Sequence, residues 1–543
     1  MHANLASIMP QAVAVWCAEA GHDVSFVCFT GFEDLLDELR FDIDLLFIGS
    51  FTQAAQLAYA LSNLFRQRGV ITVLGGPHAR CYPDDARKYF DYVLGFTDKD
   101  VIDEVLGDCR PHRPFGAQLS AQGQPAHLPG VRERWKFIEP TLAKAPTKLK
   151  AVPMIASLGC PYTCNFCIDS VVDYQPFDCD EIREDLRFLV KRMPMAWVGW
   201  HDPNFGVRFN DCMEAIEGGT GQGSLSFVAE SSLSLLSEPN LKRLRDAGFK
   251  VLLPGIESWY TLGNKSKAGR KQGMEKVNKV SEHVNLMLEH IPYVQANFVL
   301  GLDEDEGEEP FELTKRFLDK TPGVFPGYSL LTAFGDAAPL NLELQRANRV
   351  VPFPFHFLNN HHAMNVRPKN YDWAEFYDRV IDLTKYSFTW NAIARRVRAT
   401  RFGFASWINV VRAISSEGFG RIKYYTTVRR LLDTDRSMRR FFDGETSEVP
   451  SFYVERVKRD LGPLWEFLPA GALRHDPNAY LRKTHRRTSQ GPADLEGTDK
   501  EGAGKRVMVE GRGQALAAGY EESQARPRMD RASQSSSLRM EGR

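Results

Sequence analysis

Continuous apolar runs alternate with helical spacings along the first hundred residues. "VSFVCF" (24–29), "LLFIGSF" (45–51), "VITVLGG" (70–76) and "YVLGF" (92–96) do not alternate between apolar and polar positions. Short unbroken runs of this kind mark strands covered on both faces, as in a parallel sheet flanked by helices. Leu57, Leu61, Leu64 and Phe65 recur at helical spacing between the second and third runs, and Gly69 stands where that helix should stop. A first helix is expected over 3–20, ending at "AGHD". The pattern predicts an α/β, doubly wound, Rossmann-like domain over 1–110. Such a fold opens on a strand, whereas this chain opens on a helix, so the first strand is expected to be absent or to have been lost to a late start codon.

Residues 111–150 are rich in Pro, Gly and Gln and read as a linker. A second alternation occupies 151–340. Its expected strands are "VPMIASLG" (152–159), "AWVGWHD" (196–202), "LSFVAESS" (225–232), "VLLPGIES" (251–258), "YVQANFVLGL" (293–302) and "GYSLLTAF" (327–334). One intervening helix would bury Ile182, Leu186, Leu189, Val190 and Met193; another would bury Val277, Val280, Val284 and Met287. Six such repeats predict a partial (β/α)6, TIM-like barrel, whose chemistry would sit at the C-terminal ends of its strands. Residues 341–483 read as a helical, basic and aromatic region, and 484–543 as a polar disordered tail.

Composition narrows the class. Of 543 residues, 43% are hydrophobic and 25% charged, the balance of a soluble globular protein. A net charge of −1 gives no global electrostatic case for nucleic acid. No run nears the roughly 20 apolar residues of a membrane-spanning helix, and the N-terminus lacks a signal peptide's basic start. A cytoplasmic location is the default.

The nine cysteines are odd in number and confined to the first 212 residues, unlike a disulfide framework. Three of them, Cys160, Cys164 and Cys167, crowd into "SLGCPYTCNFCIDS" (157–170), just after the first strand of the second alternation. Thiolates suit zinc or iron–sulfur. Structural zinc commonly takes four ligands as two CxxC pairs, and no second pair exists; His201 is the one nearby candidate to complete a site. Three cysteines on a 4Fe-4S cluster leave one iron open.

"CPYTCNFC" resembles the CxxxCxΦC signature of radical S-adenosylmethionine (SAM) enzymes, with Phe166 as the aromatic Φ. The resemblance implies that Cys160, Cys164 and Cys167 hold a 4Fe-4S cluster and that its open iron chelates SAM. One-electron reduction by ferredoxin or flavodoxin then yields a 5′-deoxyadenosyl radical. It further implies SAM contacts from Asp202 and Asn204 in "HDPNFG", from Glu230 closing "FVAES", and from Gly301 in "NFVLGLDED". Glu257 in "GIES" would face the cavity as a catalytic carboxylate. The Pro-Gly turn that usually follows the glycine is here "DEDEGEE".

The first domain resembles the cobalamin-binding domain fused to many of these enzymes, through "LLFIGSFTQAA" and "VLGGPHARCYPDDA". Ser50, Gly75 and Gly76 would then approach cobalamin. Two features depart from that family: its DxHxxG motif is absent, with only His22-Asp23 nearby, and its "GEGE" is "GFTDKD". His78 reads as a helix-start histidine bonded to backbone, and His356, His361 and His362 as a solvated cluster. Arg395, Arg396, Arg398 and Arg401 read as a solvated face.

The expected function is cobalamin-dependent methylation of an unactivated carbon on a small-molecule substrate. The rival enzymatic reading is radical oxidative cyclisation or rearrangement without methyl transfer. The non-enzymatic rival is a zinc-stabilised binding protein.

Overall fold

The computed structural model describes residues 7–29, 35–107, 115–144, 150–162, 164–169, 171–221, 223–260, 272–400 and 403–479. The expected tail, Cys109, Arg401 and part of the 111–150 stretch lie outside them.

Two parallel sheets organise the chain. The first runs β1 (Leu45–Gly49), β2 (Ile71–Gly75), β3 (Tyr92–Leu94) and β4 (Ala117–Leu119), in that order across the sheet. The three expected runs at 45–51, 70–76 and 92–96 thus form strands, and the helix between the first two spans Ala55–Arg66. Val24–Phe29 does not: it forms no strand, and β1 is the sheet's edge among the described residues. An apolar run becomes a strand only when a neighbour takes its backbone groups, and none pairs with it here.

The stretch expected as a linker carries structure. β4 pairs with β3 from Tyr92↔Ala117 to Leu94↔Leu119. The helix Val131–Lys144 buries Val131, Phe137, Ile138 and Leu142 and packs against the first helix, Ile8–Glu19. Its Arg134 is buried too, donating to the Pro129 carbonyl and to Gln11. The Pro and Gly residues that suggested a linker punctuate short elements instead.

The second sheet begins at β5 (Ala151–Met154). A small antiparallel pair follows, β6 (Ser157–Leu158) with β7 (Gln175–Pro176). Then come β8 (Trp197–Trp200), β9 (Ser226–Ser232), β10 (Phe249–Glu257), β11 (Tyr293–Leu300) and β12 (Phe325–Leu330). The order β12-β11-β10-β9-β8-β5 is that of the six-stranded partial barrel, with its two edges unpaired to each other. Helix Cys179–Arg192 starts where Asp178 accepts the N–H groups of Asp180 and Glu181, and it buries Ile182, Leu186 and Leu189. Helix Gly273–His290 fully buries Val277, Val280, Val284 and Met287. Both expected faces are therefore seated on the barrel, except that Val190 and Met193 are only partly covered.

The C-terminal region is helical, as expected, and aromatic at its core: Phe353 packs edge-on against Phe441, Phe442 and Tyr453. Arg396 departs from the solvated-face reading. It is buried, donates to the carbonyls of Val324 and Ser387, and sits over Phe325. Among the described residues no helix is long and apolar enough to cross a membrane.

Candidate active site

The cysteine loop leaves β6 through Gly159, whose φ is +61°. A Cβ there would lie 2.1 Å from the Asp173 carbonyl, so only glycine lets the loop close over the segment returning to β7. Cys160, Cys164 and Cys167 are 3%, 3% and 0% exposed, packed with Tyr162 and Phe166. Cys167 N–H bonds the Cys164 carbonyl at 3.2 Å, and the Asp169 N–H points at the Cys167 sulfur at 3.5 Å. None of the three is in a disulfide. The donor set fits a cluster: three soft ligands on one buried loop, with a backbone N–H directed at sulfur. Among the described residues no three His, Cys, Asp or Glu side chains converge on a single-ion site.

The loop is held from the first domain. Arg80 donates to the Ile168 carbonyl at 2.8 Å, lies 3.7 Å from Asp169, and stacks on Phe96 at 4.8 Å. Sequence reasoning missed this residue; its link spans 88 positions.

The expected SAM residues divide by position. Asp202 accepts from the Ala156 N–H at 3.0 and 3.2 Å and from the Ser157 hydroxyl at 2.7 Å, fastening the end of β8 to the start of the cysteine loop. Asn204 accepts the Ser232 N–H at 2.8 Å and ties the same end to β9. Glu257 ends β10 at a register shift with φ +65°, backbone conditions that recur beside functional sites. It is buried near Lys276, whose ammonium pKa burial lowers to about 8 against the pull of Glu257. The N–H groups of Gly301 and Leu302 both bond Asp305, and the Gly301 Cα faces Met364 and Phe376. Glu230 projects from β9 into a large cavity.

That cavity, of about 1240 Å³, runs from the C-terminal ends of β1–β3 through the barrel to the helix Gly403–Ile414. Ser50, Gly75 and Gly76 line its first-domain end. Ser50 bridges to the Gly75 carbonyl, and Gly76, at φ +90°, would press a Cβ to 3.0 Å from the Ser50 backbone. A Cβ at Gly75 would meet nothing within 4 Å. This open shelf at strand ends fits a flat cofactor. His78 is turned away from it: fully buried, it bonds the Tyr59 hydroxyl at 2.6 Å, not backbone, and burial lowers its pKa to about 3. His201 also lines the cavity.

The histidine cluster is not solvated as expected. His361 is buried on the barrel wall, and His356 pairs with Asp460 at 3.0 Å. Polar spacing in "FHFLNNHHAM" hid this, because the cover comes from helix Arg421–Thr434, some sixty residues on.

No family model matches the chain. Two curated proteins of Chlorobaculum tepidum (strain ATCC 49652 / DSM 12025 / NBRC 103806 / TLS) resemble it in sequence. Bacteriochlorophyllide d C-12(1)-methyltransferase is 24% identical over 372 residues, covering 67% of this chain and 79% of that protein. Bacteriochlorophyllide d C-8(2)-methyltransferase is 24% identical over 403 residues, covering 70% and 86%. Among solved structures, the radical SAM methyltransferase TsrM from Kitasatospora setae, with tryptophan substrate and the SAM analogue aza-SAM bound, is 13% identical. It covers 78% of this chain and 96% of that one at a TM-score of 0.50. Another structure of TsrM holds cobalamin and a 4Fe-4S cluster, at 12% identity, 63% and 75% coverage and a TM-score of 0.47. The two-sheet architecture of this chain is the fold of that enzyme class.

Proposed function

We propose that this chain, which has the fold of radical SAM enzymes with an N-terminal cobalamin-type domain, is a C-methyltransferase acting on a flat, largely apolar small molecule of the tetrapyrrole class. The observation that carries the reading is the buried three-cysteine loop, held by Arg80 beside a cavity continuous with the first-domain shelf. Both sequence relatives are tetrapyrrole methyltransferases by name, and nothing in the cavity favours ring closure instead.

Cys160, Cys164 and Cys167 would hold the cluster, and Ser50, Gly75 and Gly76 would face cobalamin. When bound, the cluster and SAM supply hydrogen abstraction from carbon, and cobalamin supplies the methyl group. The chain's own residues then have distinct tasks. Phe166 packs the cysteine loop closed. Asp202 and Asn204 brace the strand ends beneath it. Glu230 offers a carboxylate toward SAM from the cavity wall, Gly301 shapes the adenine side, and Glu257, the expected catalytic carboxylate, lies buried beside Lys276 and outside the residues that line the cavity. Water is kept out by the aromatic lining, which includes Trp200 and Phe325. Ferredoxin or flavodoxin would deliver the electron, in a cytoplasmic setting.

The test is anaerobic reconstitution with and without cobalamin, followed by analysis of the SAM products. Methylation yields S-adenosylhomocysteine together with 5′-deoxyadenosine, and the former should vanish without cobalamin. Deoxyadenosine alone under all conditions would refute methyl transfer. Cys160→Ala, Cys164→Ala and Cys167→Ala should each stay folded by circular dichroism yet lose bound iron and SAM cleavage. Retained cleavage in any of them would refute the cluster assignment.

A further inference from the structure

β12 is an open edge of the partial barrel. Its outward backbone groups must find partners elsewhere. The Leu330 N–H bonds the Asn360 carbonyl at 2.5 Å. The Tyr328 carbonyl is taken twice: Arg421 Nη1 donates at 2.7 Å, and His361 Nδ1 stands 3.1 Å away. A carbonyl only accepts, so His361 carries its proton on Nδ1 and presents Nε2 as a bare acceptor. The loop around His361 is fixed by Asn359, which accepts its N–H at 3.0 Å, and by the Tyr425 hydroxyl on its carbonyl. Arg421 is delivered by the π-type turn Ser416–Gly420, which precedes helix Arg421–Thr434.

Two atoms remain unused. Arg421 Nε and His361 Nε2 are buried without hydrogen-bond partners, and both side chains line the large cavity, at 4% and 6% residue exposure. Arg421 forms no ion pair among the described residues. Glu417, four positions before it, is committed to Arg412, which also bonds Tyr293 and Gln295. A guanidinium buried on a cavity wall with a single carbonyl partner is strongly disfavoured unless a ligand brings a counter-charge. Guanidinium geometry matches carboxylates. Burial and the charge of Arg421 hold the His361 imidazole neutral.

We propose that Arg421 and His361 form the carboxyl subsite of the substrate cavity. One carboxylate oxygen accepts from the Arg421 guanidinium, and binding takes up one proton from solvent, which lies between the other oxygen and Nε2 of His361. The substrate class is therefore a flat apolar body bearing a free carboxyl group that docks at the β12 edge. The catalytic context rests on the methyltransferase reading; the subsite itself rests on the two unpartnered side chains.

Two probe pairs test it with the reconstituted full chain: pheophorbide a, a chlorin carboxylic acid, and pyrene-1-butyrate, each against its methyl ester, with Kd read by fluorescence. Wild-type protein should bind at least one acid about 10- to 100-fold tighter than its ester, the worth of a hydrogen bond to a charged group. Arg421→Met should erase that ratio, Arg421→Lys should restore part of it, and His361→Gln should lower acid affinity while sparing the ester. The wild-type comparison does not depend on any variant folding. Equal binding of acid and ester, a ratio that survives in Arg421→Met, or no binding of either acid overturns the subsite. A ratio for the pyrene pair with no binding of the chlorin pair leaves the subsite standing and removes the tetrapyrrole reading.

Discussion

Asp305 takes the N–H groups of Gly301 and Leu302 at 2.9 and 3.1 Å while only 3% exposed. Burial raises its pKa to about 7, against the downward pull of those two donors. The folded value lies above the unfolded one, so the protonated form contributes stability that is present at low pH and lost as pH rises through about 7. Between pH 4 and pH 7 the wild type should lose about 4 kcal/mol relative to Asp305→Asn, by urea denaturation at each pH. A pH-independent difference between the two proteins would contradict the assignment. The same scale shows where sequence reading stops. "HDPNFG" could be recognised as chemistry-bearing, yet its Asp202 carboxylate is already engaged by Ala156 and Ser157. Type and position along the chain were legible; hydrogen-bond partners 46 residues away were not.

At the level of elements, the cysteine loop is the part most nearly written in local sequence. Its three cysteines fall within eight positions, and the strand before it is a short apolar run. Its closure depends on Gly159. Gly159→Ala would drive a Cβ into the Asp173 carbonyl at a positive φ, and should cut iron incorporation to a small fraction of wild type while leaving far-UV circular dichroism intact. Normal iron content would show that the loop can shift at no cost. Val24–Phe29 and β4 mark the opposite limit. The first has a strand's composition and no partner; the second, "AQL", has an unremarkable composition and a partner in β3. Pairing is a property of two segments, and a single segment's pattern cannot report it.

At the scale of the molecule, the C-terminal helices complete the barrel. Phe404 stacks on Trp197 at 5.0 Å, and Arg412 reaches between Tyr293 and Phe325 while paired with Glu417. Breaking one half of a buried ion pair leaves the other charge uncompensated. Arg412→Met should therefore destabilise the fold by about 3–5 kcal/mol, measured as a fall in the denaturation midpoint. Arg412→Met with Glu417→Gln should recover part of it. No change in the single variant would mean that the pair lies in effectively aqueous surroundings.

The apolar periods by themselves determined two parallel α/β layers, because burial on both faces leaves an unbroken apolar run whatever the neighbours are. The spacing of Cys160, Cys164 and Cys167 likewise determined that three thiols crowd onto one short loop, and their likeness to a known signature supplied the expectation of a cluster. Only the tertiary structure decided that Arg80 holds that loop from the first domain, that His361 and Arg421 meet on the Tyr328 carbonyl, and that Asp202 braces strands. Each of those contacts joins residues tens of positions apart, and the desolvation that gives them their chemistry exists only once the layers close over them.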